Sequence, residues 1–419
     1  MAASQTPLYQ DLPGHDDTRV LHIDPALRGD RTVPLSGRLR TITLSDMIDE
    51  VYTESYIALS YCWGAVHSDG SHSTHMIICD GREVRITANL HGALIRLREH
   101  LDKGNLNDDT TNNSSERLPL WIDAICVNQR DIKERNRQVE MMPRIYRESK
   151  KMVIWLGEAQ MGDTNLLRKG VTSLPVETKS FYVMPDHDNP YFTWNDQELR
   201  RSSPIDVDSW KQQISPNDRL RIASILHQSW FGRRWVVQEA MLATTPLVMY
   251  GDLLISAERL VDLLKRCEAP DNNLLRQCLL FRQGEEVGFL QSMQAFDKLL
   301  CSDDRDRIYA LSGVYRDFSV RIDYPESVEM LYYRIAVSLV EDGHAAEVLA
   351  VASSRLGANE AASESSRRIL PSWVPDWRTT VQYSSANHER VLEAVLKWSL
   401  NEYPEQARET LHLDHRNTG

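Results

Sequence analysis

The chain has 419 residues, of which 42% are hydrophobic, and a formal net charge of −12. This length predicts two domains or one large domain with insertions, and this hydrophobic content excludes a globally disordered chain. No basic stripe offsets the acidic balance, so we expect no nucleic-acid partner.

The six cysteines never occur in CxxC spacing. So few cysteines in so long a chain predict a reducing compartment rather than a disulfide framework. The first residues contain no apolar signal segment, and no run of about 18 apolar residues follows, so we expect neither secretion nor a membrane span. The sequence therefore predicts a cytoplasmic protein.

The first part of the chain predicts strands, a hairpin and a helix. Residues 1–55 are interpreted as a strand and turn extension, followed by a buried strand over 56–61. Residues 76–86 predict a hairpin around Asp80-Gly81, a pair that suits a tight turn. Leucines at helical spacing predict the next helix, capped by Thr87 or Asn89 and ending at Lys103-Gly104.

A polar insertion at 104–117 precedes a nearly continuous apolar run over 120–127, which predicts a strand covered on both faces. A charged helix follows. Asp131 and Glu134 fit a capping box at its start, and Pro143 should kink it or break it in two. Residues 151–157 predict the next strand. This alternation of strands and helices predicts an α/β fold with a parallel sheet.

Residues 158–217 are polar and aperiodic and are interpreted as a long insertion. Two helices joined near Gly232 and a strand over 246–252 come next, after which the pattern is helical and Ser256 can cap the first helix. We therefore divide the chain into an extension, an α/β domain and a mainly helical C-terminal region. Their bounds are 1–55, 56–252 and 253–419.

Polar and aromatic residues follow two predicted strands, where α/β sheets bind ligands. We predict that they line a binding site, with Asp123 inside the second strand. The alternative is that the aromatic residues belong to the core and that the polar pair after the second strand caps the next helix. The predicted substrate-binding residues here are Ser60, Tyr61, Trp63, Gly64, Asp123, Asn128 and Gln129.

Trp235 and Glu239 are four residues apart and share one face of a predicted helix. An aromatic ring beside a carboxylate suits a nucleotide or ribosyl substrate, since the ring stacks on a base and the carboxylate stabilises an oxocarbenium-like centre. The alternative is an amphipathic helix with Trp235 buried and Glu239 solvated. Spacing alone favours this alternative.

The acidic residues Asp303, Asp304 and Asp306 lack the glycine and glutamate of a calcium loop. We expect them to cap a helix while Arg305 and Arg307 form ion pairs. No Walker, GxSxG, HExxH or GxGxxG motif occurs in the sequence, so we predict neither a metal nor a bound cofactor.

Four segments together resemble the HET domain of fungal heterokaryon incompatibility proteins. They are 56–64, 120–157, 230–243 and 303–314. The resemblance implies non-self recognition and regulated cell death after fusion of unlike fungal cells. It also implies kinship with TIR domains and hence a flavodoxin-like parallel core with insertions. In that comparison, Glu239 falls at the position of the glutamate with which NAD-cleaving TIR enzymes act.

Two functions follow from the resemblance. In the first, the domain is an NAD(P) glycohydrolase in which Glu239 is catalytic, Trp235 shapes the pocket and NAD is the substrate. In the second, it is a non-catalytic adaptor that self-associates or recruits a partner incompatibility protein. The sequence leaves this choice open. A concave pocket at Glu239 beside Trp63 and Asn128 favours the enzyme, and a flat solvated face favours the adaptor.

Overall fold

We describe the fold from a computed structural model of the protein. The described residues are 8–26, 30–44, 55–63, 75–106, 117–172, 174, 213–269, 274–281, 288–315, 318, 320–354 and 370–378. The chain divides into two compact units. The first comprises Met1–Val287 with Ala310–Ile322, and the second comprises Gly288–Tyr309 with Asp323–Gly419.

The first unit contains a sheet to which nine strands of the described residues contribute. The strands are β1 (Asp17–Ile23), β2 (Ser36–Thr43), β3 (Ile57–Tyr61), β4 (His75–Cys79), β5 (Arg82–Ile86), β6 (Leu120–Trp121), β7 (Lys151–Trp155), β8 (Pro246–Tyr250) and β9 (Leu253–Ser256). Their order across the sheet is β5-β4-β2-β1-β6-β3-β7-β8-β9.

Helices precede and follow these strands. Those of the first unit are α1 (Ala88–Asp102), α2 (Asp123–Cys126), α3 (Ile132–Glu148), α4 (Asp163–Thr172), α5 (Pro216–Ala223), α6 (Val236–Leu242), α7 (Ala257–Arg266) and α8 (Leu274–Phe281). Two 3₁₀ turns, Ser224–His227 and Ser229–Gly232, connect α5 to α6.

The centre of the sheet is parallel. Strand β3 pairs in parallel with β6 on one side and with β7 on the other, and β7 pairs in parallel with β8. All five residues of β3 are buried, as expected for a central strand covered on both faces. The predicted α/β fold is confirmed, although antiparallel pairs such as β1 with β2 and β8 with β9 make the whole sheet mixed.

The predicted hairpin and first helix are confirmed. Strands β4 and β5 are joined by Asp80 and Gly81, which have φ angles of 50° and 75°. This left-handed backbone is the one that a two-residue hairpin turn requires. Helix α1 begins after Thr87, whose hydroxyl accepts a hydrogen bond from the Leu90 amide. Beyond its end, Gly104 has a φ of 75°.

The predicted strand over 120–127 is wrong beyond Trp121. The backbone turns at Ile122, whose carbonyl accepts hydrogen bonds from the amides of Ile125 at 3.0 Å and Cys126 at 2.7 Å. The Asp123 carboxylate accepts from the Ala124 amide at 2.7 Å and favours this turn. Asp123 therefore lies in α2 and not in a strand. The prediction failed because a short apolar run does not distinguish a buried strand from a buried helix.

Three other expectations need correction. Helix α3 is continuous through Pro143, so the predicted break does not occur. Within the predicted insertion 158–217, helix α4 is formed, with Leu167 and Val171 buried. Strand β9 follows β8 directly, where we predicted only helix. Gly251, with a φ of 57°, lies between these two strands.

The described helices of the second unit include α9 (Phe289–Ala295), α11 (Val328–Glu341) and α12 (Ala345–Ser354), and α10 (Asp306–Ser312) begins in it. Ser327 caps α11, and Gly343 follows its end with a φ of 93°. This part matches the predicted helical C-terminal region. Residues 355–369 and 379–419 of this region lie outside the described residues.

The ion pairs predicted for Arg305 and Arg307 form, whereas capping of α10 by the acidic residues stays a prediction. The Arg305 guanidinium forms an ion pair with Asp303 at 2.8 Å, and Arg307 contacts Asp297 and Asp304 at longer range. Among the described residues, no group of three His, Cys, Asp or Glu side chains is arranged to hold a metal ion. None of the described helices is long and apolar enough to cross a bilayer.

Candidate active site around Glu239

The site is built around a contact between the central strand and helix α6. Ser60 is the penultimate residue of β3, and Glu239 lies in the middle of α6. The Ser60 hydroxyl donates a hydrogen bond to Oε2 of Glu239. Only 1% of Ser60 and 3% of Glu239 are exposed. A predicted substrate-binding residue and the predicted catalytic residue therefore meet inside the protein.

Trp230, in the 3₁₀ turn before α6, extends this contact. Its indole Nε1 donates to the Ser60 hydroxyl oxygen at 2.7 Å. The ring is 1% exposed and packs edge-to-face on Phe231, with centroids 5.1 Å apart. Trp230, Ser60 and Glu239 thus form a buried series of two hydrogen bonds.

A second cluster forms around Asp123 at the beginning of α2. Its carboxylate accepts a hydrogen bond from Nε1 of Trp63 at 2.8 Å and another from the Tyr61 hydroxyl. Trp63 is 42% exposed, whereas Tyr61 is buried. The indole ring of Trp63 is therefore held by its N–H while part of its surface faces solvent.

Arg233 connects the two clusters. Its guanidinium donates a hydrogen bond to the Tyr61 carbonyl, and both Glu239 and Asp123 attract its charge. Burial lowers the pKa of Arg233, but the two carboxylates outweigh that effect and hold the pKa above its ordinary value. With both carboxylates ionised, these three side chains carry one excess negative charge.

The electrostatics of the site set the protonation of Glu239. Burial raises the pKa of Glu239 to about 7, and the charge of Asp123 adds to this effect. The guanidinium of Arg233 and the hydroxyl of Ser60 oppose it, since both favour the ionised carboxylate. Burial also raises the pKa of Asp123, against Arg233 and the hydrogen bond from Trp63. A carboxyl group with a pKa near 7 can exchange a proton or stabilise a cation at physiological pH.

The residues of both clusters fall within a segment that matches a known protein family. Residues 56–239 match the family described as Heterokaryon incompatibility protein (HET). Residues 56–239 are similar to a HET domain. Every residue of the two clusters, from Ser60 to Glu239, lies inside the matched range.

The chain is also 26% identical over 376 residues to Heterokaryon incompatibility protein 6, OR allele, of Neurospora crassa. The match covers 77% of this chain and 53% of that protein, so the chain spans about half the length of this curated relative. No solved structure matches the chain.

Not all of the predicted substrate-binding residues have side chains that contact the carboxylates of Glu239 and Asp123. The Asn128 side chain accepts from the Arg130 amide at 3.3 Å in the loop before α3, and Asp131, not Asn128 or Gln129, caps that helix. The Gln129 side chain donates to the backbone carbonyl of Asp123 at 2.9 Å and so contacts α2 from the loop side. Trp235 is partly buried, and its carbonyl accepts from the Glu239 amide at 3.3 Å. Gly64 lies outside the described residues.

The alternative in which Glu239 is solvated is wrong, because Glu239 is buried. Glu239 also does not lie on the flat solvated face that would favour an adaptor. The roles assigned to the site residues stay predictions.

Sequence reasoning missed Trp230 and Arg233. Both belong to a segment that carries the resemblance, but no periodicity distinguishes them from their neighbours. Trp230 lies in a 3₁₀ turn, where a helical or strand period does not apply. The one usable signal was the position of Arg233, six residues before the predicted catalytic Glu239. A cation near a buried carboxylate is the partner such a group needs.

Proposed function

We propose that residues 56–239 form a HET domain that acts in heterokaryon incompatibility, triggering regulated cell death after fusion of unlike fungal cells, and that it does so by cleaving NAD. The observation that supports this most is the environment of Glu239. Its carboxyl group is buried, has a pKa near 7 and is held by the Ser60 hydroxyl beside Asp123 and Arg233. Perturbed carboxyl groups in such surroundings are typical of active sites.

The reaction would be hydrolysis of the bond between the ribose and nicotinamide. That bond breaks with its electron pair passing to the pyridinium nitrogen, which leaves as neutral nicotinamide. The ribose carbon becomes an oxocarbenium-like cation, and water attacks it to give ADP-ribose and a proton. An ionised Glu239 would stabilise that cation, and as a base of pKa near 7 it would accept the proton of the attacking water.

Access to Glu239 requires the site to open, since only 3% of this residue is exposed. We propose that substrate enters beside Trp63, whose ring is 42% exposed while its N–H is bound to Asp123. A partly exposed indole face offers a stacking surface for a planar ring. Trp63 would then form the rim of the site and Glu239 its floor.

The test is release of nicotinamide from NAD by the purified protein, followed by chromatography. Wild type should release nicotinamide, and Glu239→Gln should lose that activity while remaining folded. Glu140→Gln is the matched control, because it is the same substitution at an exposed position of α3. Absence of cleavage by wild type under all conditions of pH and protein concentration would contradict the proposal.

A second candidate function is a non-catalytic adaptor that acts through self-association or through a partner incompatibility protein. An enclosed carboxylate with a hydroxyl partner and a nearby guanidinium also suits a purely structural role, in which case Glu239 takes no part in catalysis. Expression of Glu239→Gln in a fungal host separates the two functions. Unchanged cell killing by this variant, together with unchanged NAD content of the cells, supports the adaptor.

A further inference from the structure

When Glu239 is ionised, the series Trp230, Ser60, Glu239 has a fixed direction for each hydrogen bond. An indole N–H can only donate, so the Ser60 oxygen must accept from Trp230. The single hydroxyl proton of Ser60 is then directed to Oε2 of Glu239. All three side chains are at most 3% exposed, so water does not compete for these bonds.

The two oxygens of Glu239 are not equivalent in this arrangement. Oε2 receives the Ser60 hydroxyl, whereas no described residue donates a hydrogen bond to Oε1. We propose that Ser60 and Trp230 are positioning residues that hold Oε2 and thereby leave Oε1 as the oxygen that reacts. The catalytic part of this inference rests on the proposed function, whereas the hydrogen-bond series can be tested without it.

This assignment changes the predicted role of Ser60. We had expected Ser60 to line the substrate pocket, but a residue that is 1% exposed and bonded on both sides has no free surface for a ligand. Its influence on a substrate would pass through Glu239. Loss of the hydroxyl should therefore alter the protonation and turnover of the site more than its affinity for substrate.

Three variants isolate the series. Ser60→Ala removes the donor to Glu239 and should shift the titration of Glu239 to higher pH, because the hydroxyl favours the ionised form. Trp230→Phe keeps an aromatic ring against Phe231 but removes the N–H, so the hydroxyl is free to rotate. Its shift should have the same direction and be smaller. The double variant should shift no further than Ser60→Ala, since both substitutions interrupt one series.

The measurement is an infrared pH titration of the carboxyl C=O band in the full chain, with Glu239→Gln used to assign the band. Trp121→Phe is the matched control, because the buried Trp121 Nε1 donates to Thr18 at 3.0 Å and not to Ser60 or Glu239. That control should leave the Glu239 titration unchanged. Ser60→Thr keeps the hydroxyl and should restore the wild-type titration.

An unchanged Glu239 titration in both Ser60→Ala and Trp230→Phe overturns the inference, and Trp230→Phe decides alone should Ser60→Ala fail to fold. Nicotinamide release from NAD then gives a separate readout, in which both variants should lower kcat and leave KM within about twofold. A shifted titration in a protein that cleaves no NAD retains the series and rejects the proposed function. A raised KM with unchanged kcat returns Ser60 to a substrate-binding role and also overturns the inference.

Discussion

The burial of Glu239 predicts that this residue destabilises the folded protein at neutral and alkaline pH. Its pKa lies at about 7 in the folded protein against an ordinary value of 4.5. The folded protein therefore holds the Glu239 proton more tightly than the unfolded chain, and stability falls as pH rises from about 4.5 to 7. At about 1.4 kcal/mol per pH unit, the full interval corresponds to about 3 kcal/mol.

Glu239→Gln resembles the protonated carboxyl group at every pH and should escape this loss. We expect the variant to match wild type near pH 4.5, to gain relative stability through pH 5 and 6, and to exceed wild type by about 3 kcal/mol above pH 7. Denaturant unfolding at four pH values measures this difference. The exposed Glu140→Gln should stay within about 0.5 kcal/mol of wild type throughout.

A Glu239→Gln variant that is equal to or less stable than wild type at pH 8 would refute the raised pKa. A constant difference across the pH range would refute it as well, because only a titrating group produces the slope. The expected result, an active-site residue whose removal stabilises the fold, is a known sign of functional sites in which stability is sacrificed for activity.

Three further substitutions test other parts of the account. Arg233→Met should destabilise the domain by about 3–5 kcal/mol at pH 8 and by less at pH 6, where protonation of Glu239 relieves the unpaired charge; denaturant unfolding at both pH values measures this. Gly313→Ala should cost about 1–3 kcal/mol in thermal unfolding, because a Cβ there would lie 2.0 Å from Cγ of Pro143. Asp131→Ala removes the cap of α3, which accepts from two backbone amides, and should cost about 1 kcal/mol in denaturant unfolding.

The first two of these substitutions have matched controls. Arg31→Met removes a partly exposed ion pair with Glu99 and should cost less than about 1 kcal/mol at either pH. Gly92→Ala places a Cβ 3.6 Å from Trp155, an ordinary contact inside α1, and should be neutral or stabilising. Equal effects of Arg233→Met and Arg31→Met, or of the two glycine substitutions, would contradict the packing described above.

Turns and helix caps could be predicted from the sequence where they depend only on neighbouring residues. The turn at Asp80-Gly81 and the cap at Thr87 depend on neighbouring residues alone, and both were identified from the sequence. The cap at Asp131 was predicted as well, but the Glu134 carboxylate does not complete the box. It accepts from the Asn128 amide and pairs with the buried Arg19 instead. Such a partner, 115 residues away, cannot be seen in the spacing of a helix.

The strand over 120–127 failed for a different reason. Its apolar run is continuous because β6, the turn at Ile122 and α2 are all largely buried, and burial erases the periodicity that separates strand from helix. The site was predicted in part. Spacing alone favoured a solvated Glu239, and the resemblance to the HET family placed that residue in the site. The bonds from Trp230 to Ser60 and from Arg233 to the Tyr61 carbonyl span about 170 residues, so no spacing along the chain reveals them.

The central claim is that Glu239 cleaves the nicotinamide–ribose bond of NAD. Its most direct test is nicotinamide release by purified wild type and by Glu239→Gln in parallel, with the folded state of each confirmed by unfolding curves. The account predicts release by wild type and none by the stable, folded variant. Equal release by the two proteins, or none by wild type while it still kills fungal cells, would contradict it.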